Sequence, residues 1–122
     1  MGYESRIYVV DKKEHLFCED KCWGEIIAMF NMCKYYPVAD FMREQPATDC
    51  YIFADDGNTK ITEDKYDKPL TESSLDAVIE ILERELQNGD NYRRTAPLLG
   101  MLKALKAESD KFKNLVVLHY GY

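Results

Sequence analysis

The residues with the most chemistry to offer stand early in the chain, at His15, Cys18 and Cys22. They form an H-x-x-C-x-x-x-C run, with Cys33 or His119 as a possible fourth donor. Zinc takes four nitrogen or sulfur ligands in a tetrahedron, and short spacings supply them in pairs. The spacing is not the usual pair of C-x₂-C units, however. Cys33 falls on an apolar stripe and Cys50 opens an apolar run. Buried cysteine commonly acts as a plain small hydrophobe. No metal or cofactor is expected on balance, with zinc as the open alternative. A second constellation is acidic: Asp49, Asp55, Asp56, Glu63, Asp64 and Asp67. Clustered carboxylates can hold a divalent cation or mimic nucleic-acid phosphates, but Asp55-Asp56-Gly57-Asn58 lacks the spacing of a calcium loop. The plainer reading is turn chemistry, for which Asp, Gly and Asn are the favoured residues. Asp55, Asp56, Glu63, Asp64 and Asp67 are the candidate partner-binding residues.

Two further candidates are weaker. Tyr92-Arg93-Arg94, followed by Lys103, Lys106, Lys111 and Lys113, offers cations to phosphate or carboxylate. On a helix, the lysines are more simply a solvated face. His119 ends an apolar run, and Cys18 or Cys22 is a conceivable nucleophile partner for it. No G-x-S-x-G, P-loop or H-E-x-x-H motif occurs, so no catalytic residue is assigned and the protein is not expected to be an enzyme.

These residues must be positioned by elements that the pattern suggests. Arg6–Val10 is β-branched and aromatic and reads as a strand. Trp23, Ile26, Ile27, Phe30 and Cys33 recur at helical spacing, which predicts a helix from about residue 19 to Pro37. Residues 37–48 lie between prolines and have room for a short helical turn. Cys50–Ala54, the Asp55–Asn58 turn and Thr59–Thr62 read as a β-hairpin. Residues 70–74 open a helix with Ser73 and Asp76 as a capping box, and Leu75, Val78, Ile79, Leu82 and Leu86 as its buried stripe. Gly89 ends it. A further helix starts near Thr95 with Pro97 in its first turn. Leu115–Tyr120 reads as a buried central strand. The expected fold is α+β. It is a four-stranded antiparallel sheet with helices on one face, in the order β-α-β-β-α-α-β, ferredoxin-like or related, with first and last strands adjacent.

The chain has 122 residues, a length suited to a single domain over 1–122. Sixteen basic and twenty-two acidic side chains leave a net charge of −6, which argues against a nucleic-acid coat protein. The charge is uneven. Residues 49–90 carry four basic and twelve acidic groups, net −8, whereas residues 91–122 carry six and two, net +4. No apolar stretch is long enough to span a membrane. The first residues show neither a secretory leader nor, with Arg6 at the sixth position, the myristoylation pattern. A cytoplasmic location with reduced cysteines is therefore expected.

Three segments resemble a family of small proteins carried by phages and prophages of Gram-positive bacteria: Gly2–Val10, Asp49–Thr59 and Leu115–Gly121. The resemblance implies a host bacterial cytosol and, by class, an inhibitor of bacterial defence of the anti-CRISPR kind. Such an inhibitor binds a host protein such as a Cas effector, without direct contact to nucleic acid or membrane. The −8 block suits electrostatic steering toward a basic groove. The alternatives are a zinc-stabilised phage accessory protein, or a sponge for small molecules or nucleotides using Tyr92, Arg93 and Arg94.

Overall fold

The computed structural model describes residues 5–13, 22–32 and 36–121. Two strands open it. β1 (Ser5–Lys12) is buried on both faces: Ile7 and Val9 point to one side, Tyr8 and Val10 to the other. β2 (Cys22–Asn31) returns antiparallel to β1. Then come α1 (Tyr36–Arg43), β3 (Cys50–Phe53), β4 (Lys60–Ile61) and β5 (Thr71–Ser73). Two helices, α2 (Leu75–Gln87) and α3 (Thr95–Ala107), precede a short 3₁₀ turn at Ser109–Lys111 and the last strand, β6 (Leu115–Gly121). The sheet has six strands in the order β4-β3-β2-β1-β6-β5. All neighbours are antiparallel except β2 and β3, which run parallel.

The α+β class and the central β1–β6 pair agree with expectation, but the four-stranded antiparallel sheet does not. The principal difference is at Trp23–Phe30, where the helical spacing belongs to a strand. Val10 pairs with Ile26 and Val9 with Ala28, so Ile27 is an extra, bulged residue. A bulge inverts the two-residue alternation. Cys22 and Gly24 therefore share Val10's side, while Ala28 and Phe30 pack with Val9 and Ile7. The residues at helical spacing thus do not share a face: Ile26 lies on Val10's side and is exposed, whereas Phe30 packs with Ile7. With β1 and β2 forming a direct antiparallel pair, the ferredoxin-like order is excluded. Pro37 sits in the first turn of α1, where its missing N–H costs nothing, rather than ending a helix. Thr71–Ser73 is a strand, not a helix start. The cap of α2 is Ser74, whose Oγ accepts from Ala77 N at 3.2 Å.

Two apolar clusters divide the molecule along the sheet. On one face, Ile7, Val9 and Val117 meet Val38 and Met42 of α1, Val78 and Leu82 of α2, and Leu98 and Leu102 of α3. The helical stripes fall at three- and four-residue steps, which directs them all to this layer. On the other face, Tyr8, Val10, Cys22, Cys50, Ile52, Leu70, Val116 and Leu118 form a second core. The sheet curls to enclose it. Thr48 N donates to Leu70 O at 2.8 Å and Glu72 N to Pro46 O at 3.0 Å, while Leu70 N donates to Thr62 O at 3.3 Å. Single bridges at Ala47–Thr71 and Glu63–Pro69 complete the curl. Burying a side chain such as Leu118 or Ile52 fully contributes roughly 1.5–3 kcal/mol. Among the described residues no helix is long and apolar enough to cross a membrane.

Candidate functional site

The curl leaves a cavity of about 500 Å³ at one end of the sheet, lined among others by Arg43, Tyr66, Pro69, Thr71 and His119. Its floor follows from strand register. Thr71 of β5 lies directly opposite His119 of β6, and Ala47 bridges Thr71 from the other side. Thr71 Oγ1 is buried and has no hydrogen-bond partner among the described residues. Buried polar atoms are ordinarily satisfied. Thr71 lines the cavity, but this oxygen itself has almost no accessible surface, so a ligand atom or water reaches it only if the lining shifts.

His119 is 3% exposed. Its Nε2 lies 3.0 Å from the Ser5 hydroxyl. Burial, reinforced by the positive Arg43 and opposed by Asp64, pushes its pKa down from 6.5 to about 4. The ring is therefore neutral at physiological pH, with one nitrogen donating and the other accepting. Arg43, at the C-terminal end of α1, brings a guanidinium to the cavity and forms an ion pair with Asp40. Lys68 lines the cavity as well.

One wall of the cavity is the 63–69 loop, and its shape depends on Asp64. This carboxylate is buried, and its Oδ1 accepts from Tyr66 N at 2.7 Å and Lys68 N at 3.1 Å. Asp64 N donates to Lys68 O at 2.8 Å. Asp67 adopts a left-handed conformation, φ 61°, which closes the turn. The loop thereby presents Tyr66 and Pro69 to the cavity.

The five acidic candidates are thus not equivalent. Asp55, Asp56, Glu63 and Asp67 are exposed, whereas Asp64 is an internal anchor. Asp56 caps its own turn, accepting from Asn58 N, Thr59 N and the Thr59 hydroxyl, which pull its pKa down to about 2. Between residues 55 and 68, three lysines interleave with the five acids. Further along, Lys103 pairs with Glu83 and Lys106 with Asp76, so part of the basic tail neutralises α2.

The remaining candidates disperse. Tyr92 donates to Met32 O at 3.3 Å and Arg94 to Asn31 O, which ties the start of α3 to the end of β2. His119 faces Ser5 rather than a cysteine. His15, Cys18 and Cys33 lie outside the described residues. Cys22 and Cys50 are free thiols, buried side by side under the start of β2 and β3. Sequence reasoning did not single out Ser5, Arg43, Tyr66 or Thr71. The one available signal was Pro69 followed by the β-branched Thr71, which favours extended backbone over a helix start.

No protein-family model, curated protein or solved structure matches the chain.

Proposed function

We propose that this protein is a non-catalytic binding protein for a small organic anion carrying a planar ring, of about mononucleotide size, held in the Thr71–His119 cavity. The observation that carries this reading is the convergence of Arg43, Lys68, Tyr66, Thr71 and a neutral, buried His119 on one cavity. A volume of about 500 Å³ falls in the usual range for small-molecule sites. Ala47, Pro69 and the Tyr66 ring supply apolar walls, and Arg43 and Lys68 supply positive charge for an anionic group. Binding rather than chemistry is favoured because His119 is a weak base and Ser5, its partner, is fully buried.

The test is a thermal-shift panel of mononucleotides and aromatic carboxylates. A ligand at about 100 times its Kd stabilises the folded state by about 2.7 kcal/mol. With an unfolding entropy of about 2.1 cal/mol/K per residue, 122 residues turn that into a rise of roughly 10 °C. Thr71→Val and Arg43→Ala together abolish the rise. No shift with any member of either class, or a full shift in the double variant, refutes the proposal.

A second reading makes the acidic segment a docking face for a basic host protein such as a Cas effector. The exposure of Asp55, Asp56, Glu63 and Asp67 supports it. Its test is charge reversal at those four positions, which weakens salt-sensitive capture of the effector if the face is used and leaves it unchanged if not.

A further inference from the structure

Where β2 pairs with β3, a set of side chains remains that the cavity does not use. Cys22 and Cys50 stand directly opposite each other on parallel strands, 2% and 0% exposed, with their sulfurs 2.8 Å apart. Asp49 precedes Cys50, and its Oδ1 lies 3.8 Å from the Cys50 sulfur. One donor atom from each of the three residues falls within 4.8 Å of the others. We infer that Cys22, Cys50 and Asp49 bind a soft divalent cation of the zinc type, with water completing the tetrahedron. The inference is independent of the cavity reading, since it involves none of the same side chains.

The donor chemistry selects the metal. Two thiolate sulfurs and one carboxylate oxygen suit zinc and disfavour magnesium or calcium, which take all-oxygen shells. Three protein donors plus a solvent position is the arrangement of an open zinc site. Solvent reaches the cluster through Asp49, whose side chain is 50% exposed, while both sulfurs are shielded. At tetrahedral angles and zinc–sulfur bonds of about 2.3 Å, the sulfurs separate to about 3.8 Å, within reach of a small χ1 rotation of either cysteine.

Neighbouring groups hold the carboxylate in place. Lys12 Nζ lies 2.6 Å from Asp49 Oδ1 and 3.1 Å from Glu72 Oε1, and Glu72 accepts from Thr48 Oγ1 at 2.7 Å. The Thr48 hydroxyl also receives Cys50 N at 3.1 Å. This chain of bonds orients Asp49 much as outer partners orient ligands in known metal centres. An ordinary cysteine thiol is protonated near neutral pH. Binding therefore exchanges protons for metal: one divalent cation enters, two thiol protons leave, two metal–sulfur bonds form, and the net charge of the cluster is unchanged.

The experiment is titration of the reduced, full-length protein with cobalt(II), followed by displacement with zinc(II). The expected result is one cobalt per chain, with thiolate-to-cobalt charge transfer and tetrahedral visible bands, both erased by zinc. Two protons per metal are released into a weakly buffered indicator solution. Cys22→Ser and Cys50→Ser each abolish the charge-transfer band. Asp49→Asn changes an exposed side chain, so it retains the fold and weakens cobalt affinity at least tenfold. The inference is overturned by the absence of a charge-transfer band in the wild type, by a band that survives Cys50→Ser, or by unchanged affinity in Asp49→Asn. Recovery of Cys22 and Cys50 as a disulfide from reductant-containing buffer overturns it as well.

Discussion

Acidification from pH 7 to pH 4 is expected to destabilise this protein chiefly through His119. Its pKa is 6.5 in the unfolded chain and about 4 in the folded one. Above pH 6.5 the ring is neutral in both states and contributes no pH dependence. As pH falls below 6.5, the unfolded chain takes up a proton that the folded chain refuses, and stability declines until the folded pKa is reached. The displacement corresponds to about 2.5 pH units at about 1.4 kcal/mol each, hence roughly 3 kcal/mol lost by pH 4. The 122-residue length converts that to a fall in Tm of about 12 °C. The groups facing the ring are Arg43 and Asp64, of which the cation deepens the effect and the carboxylate moderates it. The paired carboxylates Asp11, Asp49 and Asp56 are all held below the usual 3.8, so their contributions begin to be lost only at the acid edge of this window and are lost mainly below it. The assay is thermal and urea unfolding by circular dichroism at pH 7, 6, 5 and 4, beside His119→Gln. Glutamine keeps a polar group near Nε2 but has no proton to take up. Wild type loses stability across the series and the variant stays nearly level. Equal losses in the two proteins refute a buried, neutral His119.

Other substitutions probe the frame around the site. Asp11→Ala removes a buried carboxylate that accepts from Lys113 N, Asn114 N and Lys13 Nζ; it is expected to cost about 2–4 kcal/mol in urea unfolding. Gly24→Ala places a Cβ 3.3 Å from Ile52 Cγ2, Tyr51 O and Val10 Cγ2, so overpacking of about 1–3 kcal/mol is expected by the same measurement. Ser74→Ala removes the cap of α2 and costs about 1 kcal/mol, whereas Ser73→Ala leaves that cap intact.

What the sequence made legible follows from how each element is buried. β1 and β6 are covered on both faces, so they appear as continuous apolar runs, and the β3–β4 hairpin carries its own turn residues. α2 and α3 keep an unbroken apolar stripe. β2 was hidden because it carries apolar residues on both faces, Ile26 and Met29 among them exposed, and the bulge at Ile27 breaks the two-residue alternation that would mark a strand. β5 has only three residues, two of them Glu and Ser, too few for any period to show. The cavity was invisible for a different reason. Arg43, Tyr66, Thr71 and His119 come from four separate segments, and only the curl of the sheet unites them. Asp64 looked like its acidic neighbours because composition does not reveal which way a carboxylate turns. Cys22 and Cys50 become partners only once Trp23 and Tyr51 are known to lie on paired parallel strands.

The most direct measurement is a ¹⁵N-resolved NMR titration of the protein with the best ligand of the anion panel. The proposed site predicts saturable shifts concentrated at the amides of Arg43, Ala47, Tyr66, Thr71, His119 and Gly121, absent in Thr71→Val/Arg43→Ala. Saturable shifts that bypass these residues, or a panel in which no ligand moves them, contradict it.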